Sequence, residues 1–493
     1  MKFSMKILYA SVYLIAICFT SNSFATDSKR INTDSSIEDI RNVLSEMDIP
    51  VLDFRFEKNE FPTFDVLEHP EGCVGTAVIN NEYVNGSFTI SIKGEVVYDS
   101  GDYVNKESGV RVKIRGNTST ASPYVKKKSY KIKLSKKADL LLRGDSDYKD
   151  KDWCILGNGS MYLNYVAGTA VAMECGAKWE PAGRHVCVIM NDKYMGSFYL
   201  LEAVKASKKR VNIEDTGYII ENDAYWWKPG EVYFKTDKQT QFVGWTFKEP
   251  DTDDFKEDTM SNIKEVISTF ENALYAEEDI SEMYDADSFA AWLLAHDIMD
   301  TRDGLGSNMF VVKKNYNPED IFETKLEMGP LWDFDDSFVE DTGTHTRVYT
   351  SGSFWYPRLL KYENFVKVFK NKWDEVKGTI KENVLDAVKV YLANNPDISN
   401  ARKIDRNLGL MGWTPTTTTD EDYDNLVNWF DSRLPTLSGL MDELISGIDS
   451  MEAEDVKEPS RSYDILGNPV GSDYKGIVII VQPDGKSKKV IRK

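Results

Sequence analysis

Three aspartates stand within four positions in the stretch GPLWDFDDSF, residues 329–338, where Leu331, Trp332, Phe334 and Phe338 surround Asp333, Asp335 and Asp336. Apolar flanks of this kind mark a strand or turn that is at least partly buried. Buried carboxylates are costly unless a positive charge neutralises them. Hard oxygen ligands suit Mg²⁺ or Mn²⁺, and a divalent ion shared between carboxylates and a phosphate would neutralise both. Asp333 and Asp335 are therefore candidate metal ligands, with Trp332 and Phe334 as the packing that fixes them. The competing reading is an acidic turn that caps a helix starting near Asp336.

Upstream, HDIMDTRDGLGSNMF (296–310) sets Asp303 five positions before Asn308, with Gly304 and Gly306 letting the loop turn between them. That spacing is common by chance. Two such acidic sites about thirty positions apart, in the order a metal-dependent kinase site would need, nevertheless favour the metal reading over the capping turn. A third group is basic: KKKSYKIKLSKK (126–137) holds seven lysines in twelve positions. Alternation puts Lys131 and Lys133 on one face and Tyr130, Ile132 and Leu134 on the other. A solvated edge strand, where lysines discourage aggregation, accounts for most of this run. Cations that steady phosphates are the functional alternative, with Lys128 and Lys131 as candidates. Arg115-Gly116-Asn117-Thr118 precedes it; a glycine beside an arginine after a strand can bring backbone and guanidinium near a phosphate, or form a plain turn. His296 falls on an apolar helix as a core histidine, and His345 lies in a polar loop with no role assigned. G-x-S-x-G, H-E-x-x-H and a Walker loop are absent, which disfavours serine hydrolases, zinc proteases and P-loop NTPases.

The elements that must position these groups can be read from periodicity. Residues 37–47 carry an amphipathic patch. From Ile49 to about Leu134 the chain alternates with turn residues between, as in SFTISIKGEVVYDSGDY and GVRVKIRGN, which predicts antiparallel strands. Tyr162–Glu174 has helical spacing and stops before Gly176. Residues 184–204 read as a hairpin turning at Asn191-Asp192, 217–223 and 308–313 as strands, and 251–258 as an acidic loop. Helices are expected over 260–274, 286–299, 365–376, 380–393 and 422–445, with a polar loop at 414–419. Residues 463–493 read as short strands. The order is strands, a helix, a hairpin, then a mainly helical half.

The chain has 493 residues, 41% apolar, with a net charge of −20. Length is a weak prior for about three domain-sized units. The charge argues against nucleic acid or an anionic membrane as partner. Met1, Lys2 and Lys6, the apolar run from Ile7 to Phe19 and Ser23-Phe24-Ala25 form the pattern of a secretory signal peptide over 1–25, too short to remain as a membrane span. Ile17 before Cys18 does not suit lipidation. Beyond it, Cys73, Cys154, Cys175 and Cys187 allow two disulfides in three connectivities, or four buried free thiols.

Together these residues carry a likeness. Arg115-Gly116-Asn117-Thr118, the strand Lys127–Leu134, the hairpin ending Phe198-Tyr199-Leu200-Leu201-Glu202, Gly217-Tyr218-Ile219-Ile220-Glu221, Asp303 with Asn308, and Trp332-Asp333-Phe334-Asp335 resemble, in that order, the spore coat protein H (CotH) kinases, over roughly residues 49–445. The Asp–Asn pair is similar to a kinase catalytic loop, and Asp333-Phe334-Asp335 to a D-F-G element whose glycine is replaced. The resemblance implies an α+β, divergent bilobal protein-kinase-like fold. Its antiparallel β-rich N-lobe would span about 49–223 and its mainly helical C-lobe about 224–450. Linkers over 26–48 and 451–462 would flank it; separately, Tyr463-Asp464, Leu466-Gly467 and Lys475-Gly476-Ile477 in 463–493 resemble a C-terminal sorting or attachment tail of exported proteins, the alternative being a small accessory β segment. It implies an exported Ser/Thr protein kinase, secreted or at the cell surface, acting on exported proteins with ATP and Mg²⁺ or Mn²⁺. Asp303 would be the catalytic Asp. Asp333, Asn308 and Asp335 would hold the metal, and Arg115 with Lys128 or Lys131 the phosphates. Glu202 would lie near the adenine-binding hinge. The family usually carries Asn two positions before the catalytic Asp; here Thr301 stands there.

Two other readings use the same residues. A metal-dependent glycosyltransferase also uses a hydrophobic-D-x-D site, but it needs an open parallel sheet early in the chain, against the alternation at 86–134. A non-catalytic surface protein could keep a kinase shape, and Thr301 is what favours it.

Overall fold

The computed structural model describes residues 31–157, 162–301, 308–339, 355–410, 417–452, 461–463, 476–481 and 487–492. The expected signal peptide, Asp303, His345 and the first half of the polar loop at 414–419 lie outside them. The chain divides into two compact units, residues 1–434 and 435–493.

The alternation between Ile49 and Leu134 becomes strands, as expected. After α1 (Ile37–Ser45), whose capping box is Ser36 with Asp39, come β1 (Val51–Phe56), β2 (Asp65–Glu68), β3 (Thr76–Ile79), β4 (Val84–Ile92), β5 (Glu95–Asp99) and β6 (Val110–Arg115). The short α2 (Thr118–Ala121), β7 (Ser129–Ala138), β8 (Asp150–Leu156), α3 (Asn164–Glu174) and the hairpin β9 (Gly183–Met190) and β10 (Lys193–Glu202) follow. Seven of these strands run β1-β9-β10-β8-β7-β6-β4, and β4 pairs back onto β1, so the sheet closes into a barrel. The pairs are antiparallel except β1 with β9. β5 hangs on β4, and β2 with β3 forms a separate hairpin. The inward-pointing residues, among them Phe54, Phe88, Val112, Ile132, Trp153, Val188 and Phe198, fill the barrel.

Closure depends on Gly86, which pairs with Phe56 of β1 and with Val110 of β6. A Cβ there would stand 2.3 Å from the Arg55 carbonyl oxygen. The lysine run is corrected by this topology. β7 pairs with β6 on one side and β8 on the other, so it is an interior strand and its lysines point outward from the barrel rather than guarding an edge.

A second, fully antiparallel sheet has the order β12-β13-β11-β14-β15. Its strands are β11 (Tyr218–Asp223), β12 (Tyr233–Phe234), β13 (Gly244–Glu249), β14 (Met309–Lys313) and β15 (Leu326–Met328). The 217–223 strand, counted with the N-terminal lobe above, therefore pairs with the strand that follows Asn308.

The helices are α4 (Thr259–Ala276), α5 (Ala286–Met299), α6 (Tyr356–Leu359), α7 (Glu363–Val376), α8 (Ile380–Asn394), α9 (Ile398–Asn407) and α10 (Thr419–Glu452). α5 is buried almost all round, with His296 against Trp292 at 4.0 Å between ring centroids. Burial holds that imidazole down at about 3, the neutral core histidine its sequence suggested. α9 is tied to the barrel by Asp405. Its buried carboxylate accepts from Lys127 Nζ at 2.8 Å, Ser197 Oγ at 2.6 Å, Ser197 N at 2.9 Å and Tyr194 OH at 3.1 Å. Four donors, one of them a cation, satisfy the charge, as a buried carboxylate requires.

In the second unit β16 (Arg461–Tyr463), β17 (Gly476–Val481) and β18 (Ser487–Arg492) form an antiparallel sheet. Cys73, Cys154, Cys175 and Cys187 are all free and buried; the two-disulfide alternative is not realised. Among the described residues no helix is long and apolar enough to cross a membrane. The fold is mixed α and β, as the sequence indicated.

Candidate functional site

β6 ends in Arg115, and Gly116 follows at φ +93°, a left-handed turn that glycine adopts without strain. The turn opens α2. Asn117 then accepts from Lys228 Nζ at 3.3 Å through its Oδ1. Across from it, α3 grips the acidic motif. Asn164 Nδ2 donates to the Phe334 carbonyl at 2.6 Å. Tyr165 OH contacts Asp335 Oδ1 at 3.0 Å and Asp333 Oδ1 at 3.3 Å. Gly168, one helical turn on, faces the Phe334 ring so closely that a Cβ would lie 2.7 Å from it. On the other side Leu331 N donates to Oε1 of buried Glu180 at 2.9 Å. The motif is not a helix cap: Asp335 to Phe338 form turns, and no helix begins at Asp336. Asp333 itself sits at φ +64°.

These groups surround a cavity of about 720 Å³. Its wall includes Arg115, Asn308, Asp333 and Asp335 from the sequence reading. Arg115 lies over the Trp332 ring at 5.1 Å. The cavity also includes residues to which the sequence assigned no role: Tyr165 and Asp336; Glu221, Asp223 and Lys248 of the second sheet; and Lys228 and Glu231 of the loop between β11 and β12. Lys248 Nζ pairs with Glu221 Oε2 across β13 and β11 at 2.5 Å. Against the cost of burial, Glu221 and Asp223 hold that ammonium above its ordinary value. Only the register between β11 and β13 brings the two together, and no spacing in the sequence announces it.

The remaining predicted residues lie elsewhere. Lys128 and Lys131 do not line the cavity. Lys128 Nζ is spent on the carbonyls of Thr120 and Ser122, at 2.7 and 2.9 Å. Lys131 stands 3.9 Å from Asp152. Glu202 is buried in a cluster with Arg143 at 2.9 Å and Arg210 at 3.8 Å, and accepts from Ala182 N at 3.1 Å. It too is absent from the cavity wall. Asp303 falls in 302–307, but both flanks are placed. Thr301 Oγ1 bonds Ser337 Oγ at 2.8 Å, and Asn308 is in the wall. Thr301, the position of departure, thus fastens the start of that loop to the acidic motif.

Among the described residues the wall is short of positive charge: it carries three cations, Arg115, Lys228 and Lys248, against six carboxylates, Glu221, Asp223, Glu231, Asp333, Asp335 and Asp336. Burial raises Asp333, against the pull of Arg115. Burial, then the neighbouring Asp333 charge, pushes Asp335 up to about 8. Recessed carboxylates in this state are poised to accept a cation. Two carboxylates and an amide oxygen are a hard donor set that fits Mg²⁺ or Mn²⁺. Among the described residues no three His, Cys, Asp or Glu side chains form a ready cage, so such an ion would complete its shell from water and phosphate oxygens, the usual habit of Mg²⁺.

A family model described as "CotH kinase protein" matches residues 112–437. No curated protein matches the chain. Among solved structures, a chain of the Shewanella oneidensis MR-1 toxin–antitoxin complex of HipA, HipB and operator DNA aligns at 12% identity and TM-score 0.25, covering 60% of this chain. The alignment spans 61% of that protein's own length. The Helicobacter pylori proinflammatory kinase CtkA aligns at 10% identity and TM-score 0.21, covering 79% of this chain and 96% of the other. Likenesses this slight carry no argument.

Proposed function

The chain belongs to the CotH kinase family, and from that premise we propose that it is an exported protein kinase that moves the γ-phosphoryl group of ATP to a Ser or Thr hydroxyl. The observation that carries the reading is the convergence of Asp333, Asp335, Asn308 and Arg115 on one cavity. Asp333, Asp335 and Asn308 would hold Mg²⁺ or Mn²⁺, which supplies charge neutralisation for the bound phosphates. Arg115, with Lys228 and Lys248 in the same wall, steadies the phosphate oxygens; these cations take the part that Lys128 and Lys131 were expected to play. Asp303 orients the acceptor hydroxyl and takes its proton as the acceptor oxygen bonds to the γ-phosphorus and the bond to the bridging oxygen of ADP breaks. Little covalent work falls to the protein, so positioning and charge are enough. Export rests on the leader-like residues 1–25.

The test is phosphate incorporation, read by mass spectrometry, after purified protein is incubated with ATP and Mn²⁺. Asp303→Ala and Asp333→Ala are each expected to lower transfer by about 100-fold or more with unchanged circular dichroism. Retained transfer in either variant would refute its assigned role. Stabilisation by a nucleotide sugar but not by ATP in a thermal-shift assay would point to the glycosyltransferase instead.

A further inference from the structure

One group of charges has no part in the cavity. Register pairs Arg111 with Lys133 and Lys113 with Lys131 across β6 and β7, a block of four cations on the outer face of the barrel in a chain of net charge −20. Like charges directly opposite each other on a sheet are destabilising, and among the described residues the partial relief comes from Asp152, opposite Lys133 on β8. Among the described residues Asp152 is the one carboxylate in ion-pair reach of the four, 3.9 Å from Lys131, and it is shared with Lys205 at 2.7 Å. Arg111 and Lys113 lie instead over the Tyr83 ring, at 5.2 and 5.0 Å. Lys113 is half-buried, and its ammonium is lowered by burial and then by Lys131 and Lys228, with Glu82 and Glu231 opposing more weakly.

Position gives the block a direction. Arg111, Lys113 and Arg115 occupy alternate positions of β6 and so share one face, and Arg115 is in the cavity wall. Alternate strand residues are roughly 7 Å apart. That is also the spacing of alternate residues in an extended peptide. A segment lying along β6 with acids two and four positions from its acceptor would set them opposite Lys113 and Arg111 and bring the acceptor to Arg115.

We propose that Arg111, Lys113, Lys131 and Lys133 form the docking track for an extended, acidic acceptor segment, whose hydroxyl residue it delivers to the cavity. This deepens the kinase reading and rests on it for the meaning of "acceptor", but the docking can be measured without turnover.

The experiment uses labelled peptides in which Ala replaces the acceptor, with glutamates two and four positions away on both sides, and neutral counterparts with glutamine. Fluorescence anisotropy should show the acidic peptide binding at least about tenfold more tightly, an advantage lost in about 0.5 M salt and in Arg111→Glu/Lys133→Glu. The milder Arg111→Gln/Lys133→Gln should show the same loss in smaller measure and serves if the charge reversal does not fold. ATP binding by both variants should match the parent. Equal binding of acidic and neutral peptides, or an advantage that survives in folded variants, overturns the track. So does binding of heparin without discrimination between the peptides, which would mark a general polyanion surface. If the parent discriminates these peptides but transfers no phosphate from ATP to their serine counterparts, the track stands and the kinase reading falls.

Discussion

Tyr165 has a single phenolic proton and two carboxylates to share it, Asp333 and Asp335. Burial keeps that phenol far above its ordinary value, so it remains a donor. It is held in turn by stacking on Tyr199 at 5.2 Å and by the Phe334 edge at 5.7 Å. A group that orients ligands without being one is worth about 10- to 100-fold in metal affinity when removed. Tyr165→Phe should therefore weaken Mn²⁺ binding by that factor, measured by calorimetry on protein without nucleotide, while stability changes little. Unchanged affinity would reduce Tyr165 to packing. At this scale the sequence was partly legible. Asp333, Asp335, Asn308 and Arg115 were readable because each sits in a local motif of unusual composition. Tyr165, Lys228 and Lys248 were not, because α3 and the second sheet bring them in from distant parts of the chain and their own neighbourhoods look ordinary.

Elements with a strong period were legible almost to their ends. α5 spans Ala286–Met299 as expected, and the hairpin turns at Asn191 and Asp192, both at positive φ. Short strands such as β2, β12 and β15 carry too few residues to show a period. The edge assignment of the lysine strand failed for another reason: a strand's own sequence fixes which face is wet, whereas its partners on either side are set by the rest of the sheet. Between elements, Glu271 of α4 shows a cost that stability data can read. It is fully buried, accepts from Trp355 Nε1 at 3.1 Å, and burial pushes its carboxyl from 4.5 to about 7. The folded state therefore holds a proton that the unfolded chain gives up, so this group costs stability as pH climbs from about 4.5 to about 7. The full effect is about 3 kcal/mol. Glu271→Gln keeps an acceptor for Trp355 and has no proton to lose. Denaturation midpoints at pH 5 and pH 8 should differ less in the variant than in the parent; equal differences would exclude Glu271 as a source of the slope.

Among the described residues the four cysteines, Cys73, Cys154, Cys175 and Cys187, form no bridge with one another. Each is buried and unbridged, and burial pushes the Cys187 thiol to about 12 and raises Cys175 still further. Thiols in that state are poor nucleophiles. A chain starting at Thr26 should have the same thermal midpoint with and without dithiothreitol, and Ellman's reagent should titrate four thiols only after denaturant is added. A midpoint that falls on reduction would mean that a bridge exists. The barrel sets a further condition, one of timing. β1 stands near the start of the chain, yet its parallel neighbour is β9, so Val51 waits for Cys187. Asp405, which clasps Ser197, arrives later still. A polypeptide that emerges N-terminus first must leave its opening strand unmatched on one side through most of the first half of its synthesis. Whatever escorts it during that interval has to shield that strand.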